Sequence, residues 1–360
     1  MTAASPPATL RTWLSGALPR DVGGPLDLLR RTPGVRRVVV LPDVHRSDGV
    51  CVGVVTGTHD RLLPDAVGRD IGCGMAAEAY DLEADALRDP DVAAAVLDGL
   101  ARAVPALRHG GPLVRERRPV APDAEALSTA ALASVAAHDG RVEFATLGRG
   151  NHFLELQADE GGRLWAMVHS GSRAIGPAIH AHHLARARRA EVGLPSLPAD
   201  DDAGRAYLAD VAWAVAWAEA SRDAMLDATA SVLAAVLHAR RAPSSRRRCV
   251  HNHVRRETHD GEALWVHRKG AVSAAAGEPG IVPGSMGTRS FHTEGLGSAA
   301  SMASCSHGAG RALRRGEARR RITVRDLRRE MGSVAYDRRR ERDLVRVVRR
   351  LTPVLVHKGT

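Results

Sequence analysis

The sequence predicts a single interleaved domain that combines helices with strands. Its 360 residues would suffice for two domains on length alone. Two observations favour one domain instead. Short clusters of metal-ligand or nucleophilic side chains run from Asp43 to Lys358, and one site supplied by the whole chain requires interleaved segments. Patterns typical of buried strands also alternate with helical patterns along the chain.

Three short apolar runs predict strands. Val38–Leu41 is a β-branched run that should end at Pro42, so that Asp43–His45 forms a functional loop just past the strand end. A second strand is predicted over 164–168, which would place His169 directly after it. A third is predicted over 263–267.

Two longer segments, 84–104 and 203–240, predict helices. In the second, apolar side chains recur at helical spacing, at Leu208, Val211, Val215, Ala218, Met225, Val232 and Val236. The polar side chains occupy the other positions, at Asp210, Glu219, Arg222 and Asp223. This pattern predicts an amphipathic core helix and not a membrane span.

The remaining segments are more polar. A further helix should carry His180, His182 and His183, for which a solvated face is favoured over a metal site. Loops are predicted over 109–123 and 241–248; Arg246–Arg248 in the second either contacts phosphates or is a solvated charge run. The tail over 314–350 is predicted to be helical and basic.

The composition favours an intracellular protein with a polyanionic partner. Lys and Arg exceed Asp and Glu by 51 to 41, which gives a net charge of +10 and suits nucleic acid, although an Arg-rich composition can also reflect a GC-rich gene. The four cysteines show no CxxC pairing, as expected for reduced thiols in a cytoplasm. We find no signal-peptide pattern and no apolar run long enough to span a membrane.

The run Asp70–Met75 carries the strongest chemical signal. It places a hard carboxylate (Asp70) and a soft thiol (Cys73) three residues apart, in a backbone loosened by glycines. His152, His169 and His251 lie in similar clusters flanked by Gly, Asn or Ser. Together they could hold two divalent ions with Cys73 between them, and this donor set leaves Mn, Zn, Fe and Co open. Two adjacent ions would suit phosphoryl chemistry.

His307 is the candidate nucleophile. Its neighbours Gly308–Gly310 would let a phosphate approach the imidazole, and Arg311 could neutralise that phosphate. A phosphoramidate on His307 is then plausible chemistry, and the alternative is a sixth metal ligand. The loop Pro283–Met286 either wraps a phosphate or base with its amides or is a simple turn. Lysine occurs only at Lys269 and Lys358, where a compact ammonium is favoured.

Taken together and in order, these motifs resemble the RtcB family of RNA ligases. Each motif alone is weak, but the combination spans almost the whole chain. The matching segments are Leu41–His45, Asp70–Met75, Gly150–Glu155, His169–Arg173, His251–Asn252, Arg268–Ala271, Pro283–Gly287, Ser306–Arg311 and Lys358–Gly359.

The resemblance implies a fold and an activity. Members of this family have an α+β fold in which packed β-sheets are surrounded by helices. They join RNA ends that carry a 3′-phosphate or 2′,3′-cyclic phosphate to a 5′-hydroxyl, using GTP and Mn(II), in tRNA splicing or RNA repair. The expected partners are therefore tRNA halves or broken RNA ends, and two Mn(II) ions.

The resemblance also implies residue roles. Asp70, Cys73 and His152 would hold one manganese, and Cys73, His169 and His251 the other. His307 would carry GMP as a phosphoramidate before GMP passes to the RNA 3′-phosphate. The nucleotide pocket would use Asn151, His152, Phe153, Leu154, Glu155, His251, Asn252, Pro283, Gly284, Ser285, Met286, Ser290, His307, Gly308, Ala309, Gly310 and Lys358.

Departures from the family pattern keep two alternatives open. The acidic-Pro-Ala-Tyr-Lys stretch that contacts guanine is missing before the C-terminus, and Tyr336 is a candidate substitute. Arg69 and Arg149 stand where small or apolar residues are usual. The first alternative is an enzyme that caps 3′-phosphate ends of DNA or RNA without sealing them. The second is a nucleic-acid-binding accessory protein with a degenerate site.

Overall fold

Two β-sheets organise the chain in a computed structural model. It describes residues 7–14, 16–109, 122–148, 152–285, 287–310, 320–332 and 334–336. In chain order the strands are β1 (Thr9–Thr12), β2 (Val35–His45), β3 (Val52–Thr58), β4 (Arg61–Leu62), β5 (Gly74–Glu83), β6 (Phe153–Ala158), β7 (Arg163–Ser170), β8 (Leu197–Pro198), β9 (Arg247–Val250), β10 (Asn252–His259), β11 (Glu262–Lys269), β12 (Ala271–Ser273), β13 (Pro279–Val282), β14 (Phe291–Glu294) and β15 (Ser304–Ser306).

The helices cover the sheets and connect them. They are α1 (Gly23–Arg30), α2 (Pro64–Val67), α3 (Pro90–Ala103), α4 (Ala130–Val135), α5 (Arg141–Glu143), α6 (Ile175–Arg186), α7 (Asp202–Leu237) and α8 (Val324–Met331). Short 3₁₀ turns cover Ala84–Arg88, Ala124–Ala126 and Ala299–Ser301, and Ala136–Gly140 is a π-helical turn. The fold is α+β, as the sequence predicted.

The first sheet has the strand order β1-β2-β3-β11-β10, in which only the β1–β2 pair is parallel. Both of its faces are covered. In β2, Val38 and Val40 pack into one apolar cluster while Val39 and Leu41 pack into another. Since successive strand side chains point to opposite faces, an unbroken apolar run is what a strand buried on both sides requires.

The second sheet, with the order β6-β7-β5-β9, is antiparallel throughout. Leu164, Ala166 and Val168 of β7 point toward α3 and α7 in the largest apolar cluster. Met167 points to the opposite face, where β12 and β13 cover it. The strands predicted over 164–168 and 263–267 lie within β7 and β11, so both predictions are confirmed.

The long helix α7 differs from the predicted amphipathic pattern. Asp210 and Arg222, assigned to its polar positions, are fully buried. The Asp210 carboxylate accepts hydrogen bonds from the Ser128 hydroxyl at 2.6 Å and from His183 Nε2, also at 2.6 Å. Buried charges are tolerated only when partners offset the lost hydration, which the spacing of apolar residues along one helix does not reveal.

Other predictions need correction. Pro42 does not end the first strand; β2 continues to His45 with its register interrupted after Val40, where a residue without an N–H can be accommodated. His169 lies within β7, and not after it. The helix predicted over 84–104 divides at Asp89, whose carboxylate caps α3 by accepting from the Asp91 and Val92 amides.

The polar segments also resolve into defined structure. Arg246 pairs with Glu78, and Arg248 pairs with Asp223 at 2.8 Å, so two of the three arginines over 246–248 are neutralised. Helix α8 lies in the tail that was predicted to be helical and basic, and most of that tail is outside the described residues. Residues 110–121 of the loop predicted over 109–123 are also outside them. Among the described residues, no helix combines the length and apolar character needed to cross a membrane.

Gly72 ties helix α7 to the loop before β5 and provides a test of this packing. Its φ is +71°, and a Cβ there would lie 2.9 Å from the Val215 Cα of α7. We expect Gly72→Ala to lower the free energy of unfolding by about 3 kcal/mol, combining positive-φ strain with overpacking.

Gly261→Ala is the matched control, because Gly261 has a φ of +79° and a Cβ there would meet nothing within 4 Å. It should cost only ~1 kcal/mol, the conformational part. Chemical denaturation of both variants measures the difference; equal losses would show that helix α7 does not constrain Gly72.

Candidate active site

Asp70 and Cys73 lie in a tight turn between α2 and β5. The Cys73 amide donates to the Asp70 carbonyl at 3.1 Å, and Gly72 takes the positive φ that the turn requires. Asn252 fixes the turn from outside. Its side-chain Nδ2 donates to the Asp70 carbonyl at 2.8 Å, and its main-chain carbonyl accepts the Gly72 amide at 2.8 Å. The carboxylate and thiol are thereby directed to one side.

The second sheet delivers the histidines to the same place. His169 pairs with Met75 on β5 and with Phe153 on β6, so the residue before Phe153, His152, approaches the same sheet end. His251 follows β9, and its amide donates to the Cys73 carbonyl at 2.9 Å. Adjacent antiparallel strands therefore bring together side chains whose contacting pairs are 79 to 96 residues apart in sequence.

Cys73 is the centre of the resulting cluster. Its Sγ lies 3.2 Å from His169 Nε2 and 3.4 Å from His152 Nε2. Asp70 Oδ2 lies 2.9 Å from His152 Nε2, and the Nε2 atoms of His169 and His251 are 3.4 Å apart. Two groups of three donors result, Asp70–Cys73–His152 and Cys73–His169–His251, and in each the donor atoms lie within 4.8 Å of one another.

The donor set fits a pair of divalent cations. Several lone pairs converge in a small volume, as expected where cations bind. Although burial alone would raise it, the His152 imidazole lowers the pKa of Asp70 to about 2, so the carboxylate is ionised. Burial, with the cationic groups around it, lowers the pKa of His251, which therefore offers a neutral ring nitrogen. Burial and the Asp70 carboxylate raise the pKa of the Cys73 thiol.

Arg222 bonds to the backbone next to two residues of the cluster. Its Nη1 donates to the Gly72 carbonyl at 2.8 Å and to the Ser170 carbonyl at 2.7 Å. These carbonyls belong to the residue before Cys73 and the residue after His169. This role of Arg222 was not predicted, yet Ala218, Arg222 and Met225 recur at helical spacing, which places Arg222 on the apolar stripe of α7.

His307 lies immediately after β15 and next to the cluster. Its ring centroid is 4.8 Å from that of His251. Asp43 Oδ2 lies 2.6 Å from His307 Nδ1 and also accepts the His307 amide at 3.2 Å. Asp43 was expected only as part of a functional loop; the structure gives it a specific partner, 264 residues away in sequence.

The segments predicted to bind nucleotide are adjacent to one another. The Ser290 hydroxyl accepts the Gly284 amide at 3.1 Å and Gln157 Nε2 of β6 at 3.3 Å. The Ala309 amide donates to the Pro283 carbonyl at 3.2 Å. These bonds join the strand that carries Phe153–Glu155 to the loops over 283–290 and 307–310. Five other residues singled out from the sequence lie outside the described residues: Asn151, Met286, Lys358, Arg149 and Arg311.

A cavity of about 270 Å³ adjoins the cluster. Its lining includes all five candidate metal ligands, together with Asn252 and His307. Most of the remaining lining residues are polar, at His45, Ser47, Asp48, Asp65, Arg69, His180 and Lys269, and Val52, Gly68 and Gly270 complete it. His180 and His183 were expected on a solvated helical face, and that prediction is wrong: both are buried, paired with Asp65 and Asp210.

Lys269 is buried against main-chain carbonyls in this cavity. Its Nζ donates to the carbonyls of Asp48 at 2.8 Å and Asp65 at 3.3 Å. Among the described residues, the other cysteines belong to neither donor group: Cys51 and Cys249 are buried, and Cys305 is half-buried.

Comparisons with known proteins all match the same family of ligases. The family model described as tRNA-splicing ligase RtcB matches residues 26–342. The chain is 36% identical to the RNA-splicing ligase RtcB of Escherichia coli K12 over 348 residues, which cover 89% of this chain and 85% of that protein. It is 30% identical to the RtcB of Mycobacterium tuberculosis (82% and 85%) and 27% identical to that of Thermococcus kodakarensis (83% and 78%).

The pKa of Lys269 predicts a pH dependence of stability. Burial lowers it from 10.5 to about 8. Below pH 8 the lysine is protonated in both states, whereas between pH 8 and 10.5 only the unfolded chain holds the proton. Stability should therefore rise with pH across this window relative to Lys269→Met, by up to ~3 kcal/mol.

Chemical denaturation of both proteins at several pH values between 7 and 10.5 measures this difference. Other titrating groups are common to the two proteins and cancel in the comparison. Parallel pH profiles would show that Lys269 is not desolvated.

Proposed function

The chain belongs to the RtcB family, and on this premise we propose that it is a GTP- and Mn(II)-dependent RNA ligase. It joins ends that carry a 3′-phosphate or 2′,3′-cyclic phosphate to 5′-hydroxyl ends, in tRNA splicing or RNA repair in the cytoplasm. One observation carries the proposal: two donor groups that share Cys73 adjoin a histidine with its own carboxylate partner, within one cavity.

The proposed metal centre follows from the donor groups. Asp70, Cys73 and His152 would hold one Mn(II), and Cys73, His169 and His251 would hold the other. Bound there, the two ions would neutralise charge that develops on phosphate oxygens during transfer. All four cysteines are unpaired thiols, which leaves Cys73 available as a ligand and fits a reducing compartment.

His307 is the proposed nucleophile. The Asp43 carboxylate accepts a hydrogen bond from Nδ1–H of His307, so the lone pair of the neutral ring is on Nε2 and is available for attack. Nε2 attacks the α-phosphorus of GTP, a P–N bond forms and pyrophosphate leaves. The RNA 3′-phosphate then takes the GMP from His307, and the 5′-hydroxyl finally displaces GMP to form the new phosphodiester.

The loops around His307 form the proposed guanylate pocket. Phe153–Glu155, Asn252, Pro283–Ser285, Ser290 and Gly308–Gly310 contribute from the described residues, with Asn151, Met286 and Lys358 from the rest of the chain. The contacts among β6, Ser290 and the Pro283 carbonyl support this grouping, because they hold three separate segments at one place.

The nucleophile is tested by covalent labelling. We expect His307→Ala to abolish Mn(II)-dependent labelling with α-phosphate-labelled GTP, since no other group would receive GMP, while metal content stays unchanged. His138→Ala is the control, because within the described part of the chain His138 bonds only to Ser134, four residues earlier. A chase with 3′-phosphate and 5′-hydroxyl RNA should yield joined product; capped, unjoined ends would favour a capping enzyme, and normal labelling of His307→Ala would refute the assignment.

The shared ligand is tested by metal stoichiometry. Cys73→Ala should reduce binding at both positions, since its sulfur belongs to both donor groups, whereas His152→Ala should affect one. Cys249→Ala is the control, because this buried thiol lies outside both groups. Equilibrium dialysis against Mn(II) followed by elemental analysis measures the ratio. Loss of a single ion in Cys73→Ala would contradict the bridging role.

A further inference from the structure

A second histidine–aspartate pair lines the same cavity and has no role in the steps above. His180 Nε2 on α6 lies 3.0 Å from Asp65 Oδ1 on α2. His180 is only 5% exposed, yet it contributes to the cavity lining, as does Asp65. The arrangement resembles the His307–Asp43 pair in its chemistry, but it is built from α2 and α6 instead of from β2 and the segment after β15.

The packing of α6 places this pair beside the metal-ligand turn. Gly176 lies one helical turn before His180 on the same face, and a Cβ on Gly176 would sit 2.4 Å from the Arg69 carbonyl and 3.2 Å from the Ile71 amide. His180 is therefore about 6 Å along the helix from the backbone that carries Asp70. Asp65 belongs to the helix that leads directly into this turn.

The contacts fix which ring nitrogen carries the lone pair. The hydrogen bond from His180, with Lys269 and Arg69 nearby, lowers the pKa of Asp65. The ionised carboxylate must accept a proton-bearing nitrogen, so Nε2 carries hydrogen and Nδ1 carries the lone pair when the ring is neutral. Nδ1 has no polar partner among the described residues, and its ring borders the cavity.

The sealing step lacks a proton acceptor in the proposed mechanism. The 5′-hydroxyl oxygen bonds to the phosphorus of the activated 3′-end, the P–O bond to GMP breaks, and the hydroxyl proton must leave. His307 has finished its part by then, and Asp43 is occupied by His307. An imidazole that lines the cavity and has no partner at Nδ1 among the described residues is a suitable general base for such a proton.

We propose that His180, oriented by Asp65, accepts the proton of the attacking 5′-hydroxyl in the sealing step. In this step the oxygen–phosphorus bond forms, GMP departs with the electron pair of the broken P–O bond, and the proton moves to His180 Nδ1. His180 is then a catalytic residue and Asp65 a positioning residue. The inference rests on the proposed ligase function.

The charged surroundings of the pair are defined. Asp65 contacts the ring directly, and the Lys269 ammonium donates to the Asp65 carbonyl. Arg69, paired with Asp48 at 3.9 Å, and His45 line the same cavity. On α6 itself, the neighbouring His183 bonds to Asp210 and packs against the Tyr207 ring of α7, with ring centroids 5.2 Å apart. Burial and the Asp65 carboxylate raise the pKa of Tyr207.

The experiment separates sealing from activation. RNA activated in advance at its 3′-end with GMP is mixed with 5′-hydroxyl RNA and Mn(II), and joining is followed against pH. We expect His180→Gln to seal about 100-fold more slowly, with a pH profile that differs from that of the wild type. Asp65→Asn should show a smaller loss. His182→Gln, on the same helix but bonded to Arg186, should match the wild type.

Labelling of each variant with GTP identifies the step affected. GMP transfer to His307 does not involve the 5′-hydroxyl, so continued labelling of His180→Gln supports the assignment. Wild-type sealing by His180→Gln, or an equal loss of labelling and sealing, would overturn the inference and leave the ligase function standing. Absence of labelling in the wild type would overturn the ligase function, and this inference with it.

Discussion

The buried guanidinium of Arg222 joins two chain segments on which the candidate metal centre depends. One Nη1 atom donates to the Gly72 and Ser170 carbonyls, so the turn that ends in Cys73 and the strand that carries His169 are held at a fixed separation. Removing it would leave two buried acceptors unsatisfied, which is costly in a low-dielectric interior. The length of α7 and its packing on β5 and β7 keep this group in place.

The lining of the cavity combines two groups of residues that differ in charge. One side carries donors that favour cations, with an ionised Asp70 and a neutral His251. The other side carries Lys269, Arg69 and His180, with Asp65 and Asp48 among them. A phosphate bridging the two sides would meet positive charge on both, provided that cations occupy the first. In the proposed ligase, this division would present positive charge to RNA at a specific place, while Arg246 and Arg248 are already neutralised by acidic partners.

Motifs with unusual chemistry were the most predictable part of the site. Asp70, Cys73, His152, His169 and His251 were selected from residue type and glycine-rich context, and the structure brings all five together. The β-branched run at 38–41 and the apolar runs at 164–168 and 263–267 were likewise sufficient to place β2, β7 and β11. Local composition carries this information, because metal ligands and buried strands each require particular side chains at fixed spacings.

Pairing between distant side chains was not predictable from the sequence. His180 and His183 belong to a stretch that was expected to face solvent, and only the positions of Asp65 and Asp210 on other helices make their burial favourable. Arg222 was assigned to a polar face for the same reason. No partner of Asp43 was predicted, and the structure shows that it is His307, which follows β15. The sequence by itself determined the α+β class, the main strands and the identity of the candidate ligands. Tertiary structure decided which buried charges are compensated, since that depends on distances between segments far apart in the chain.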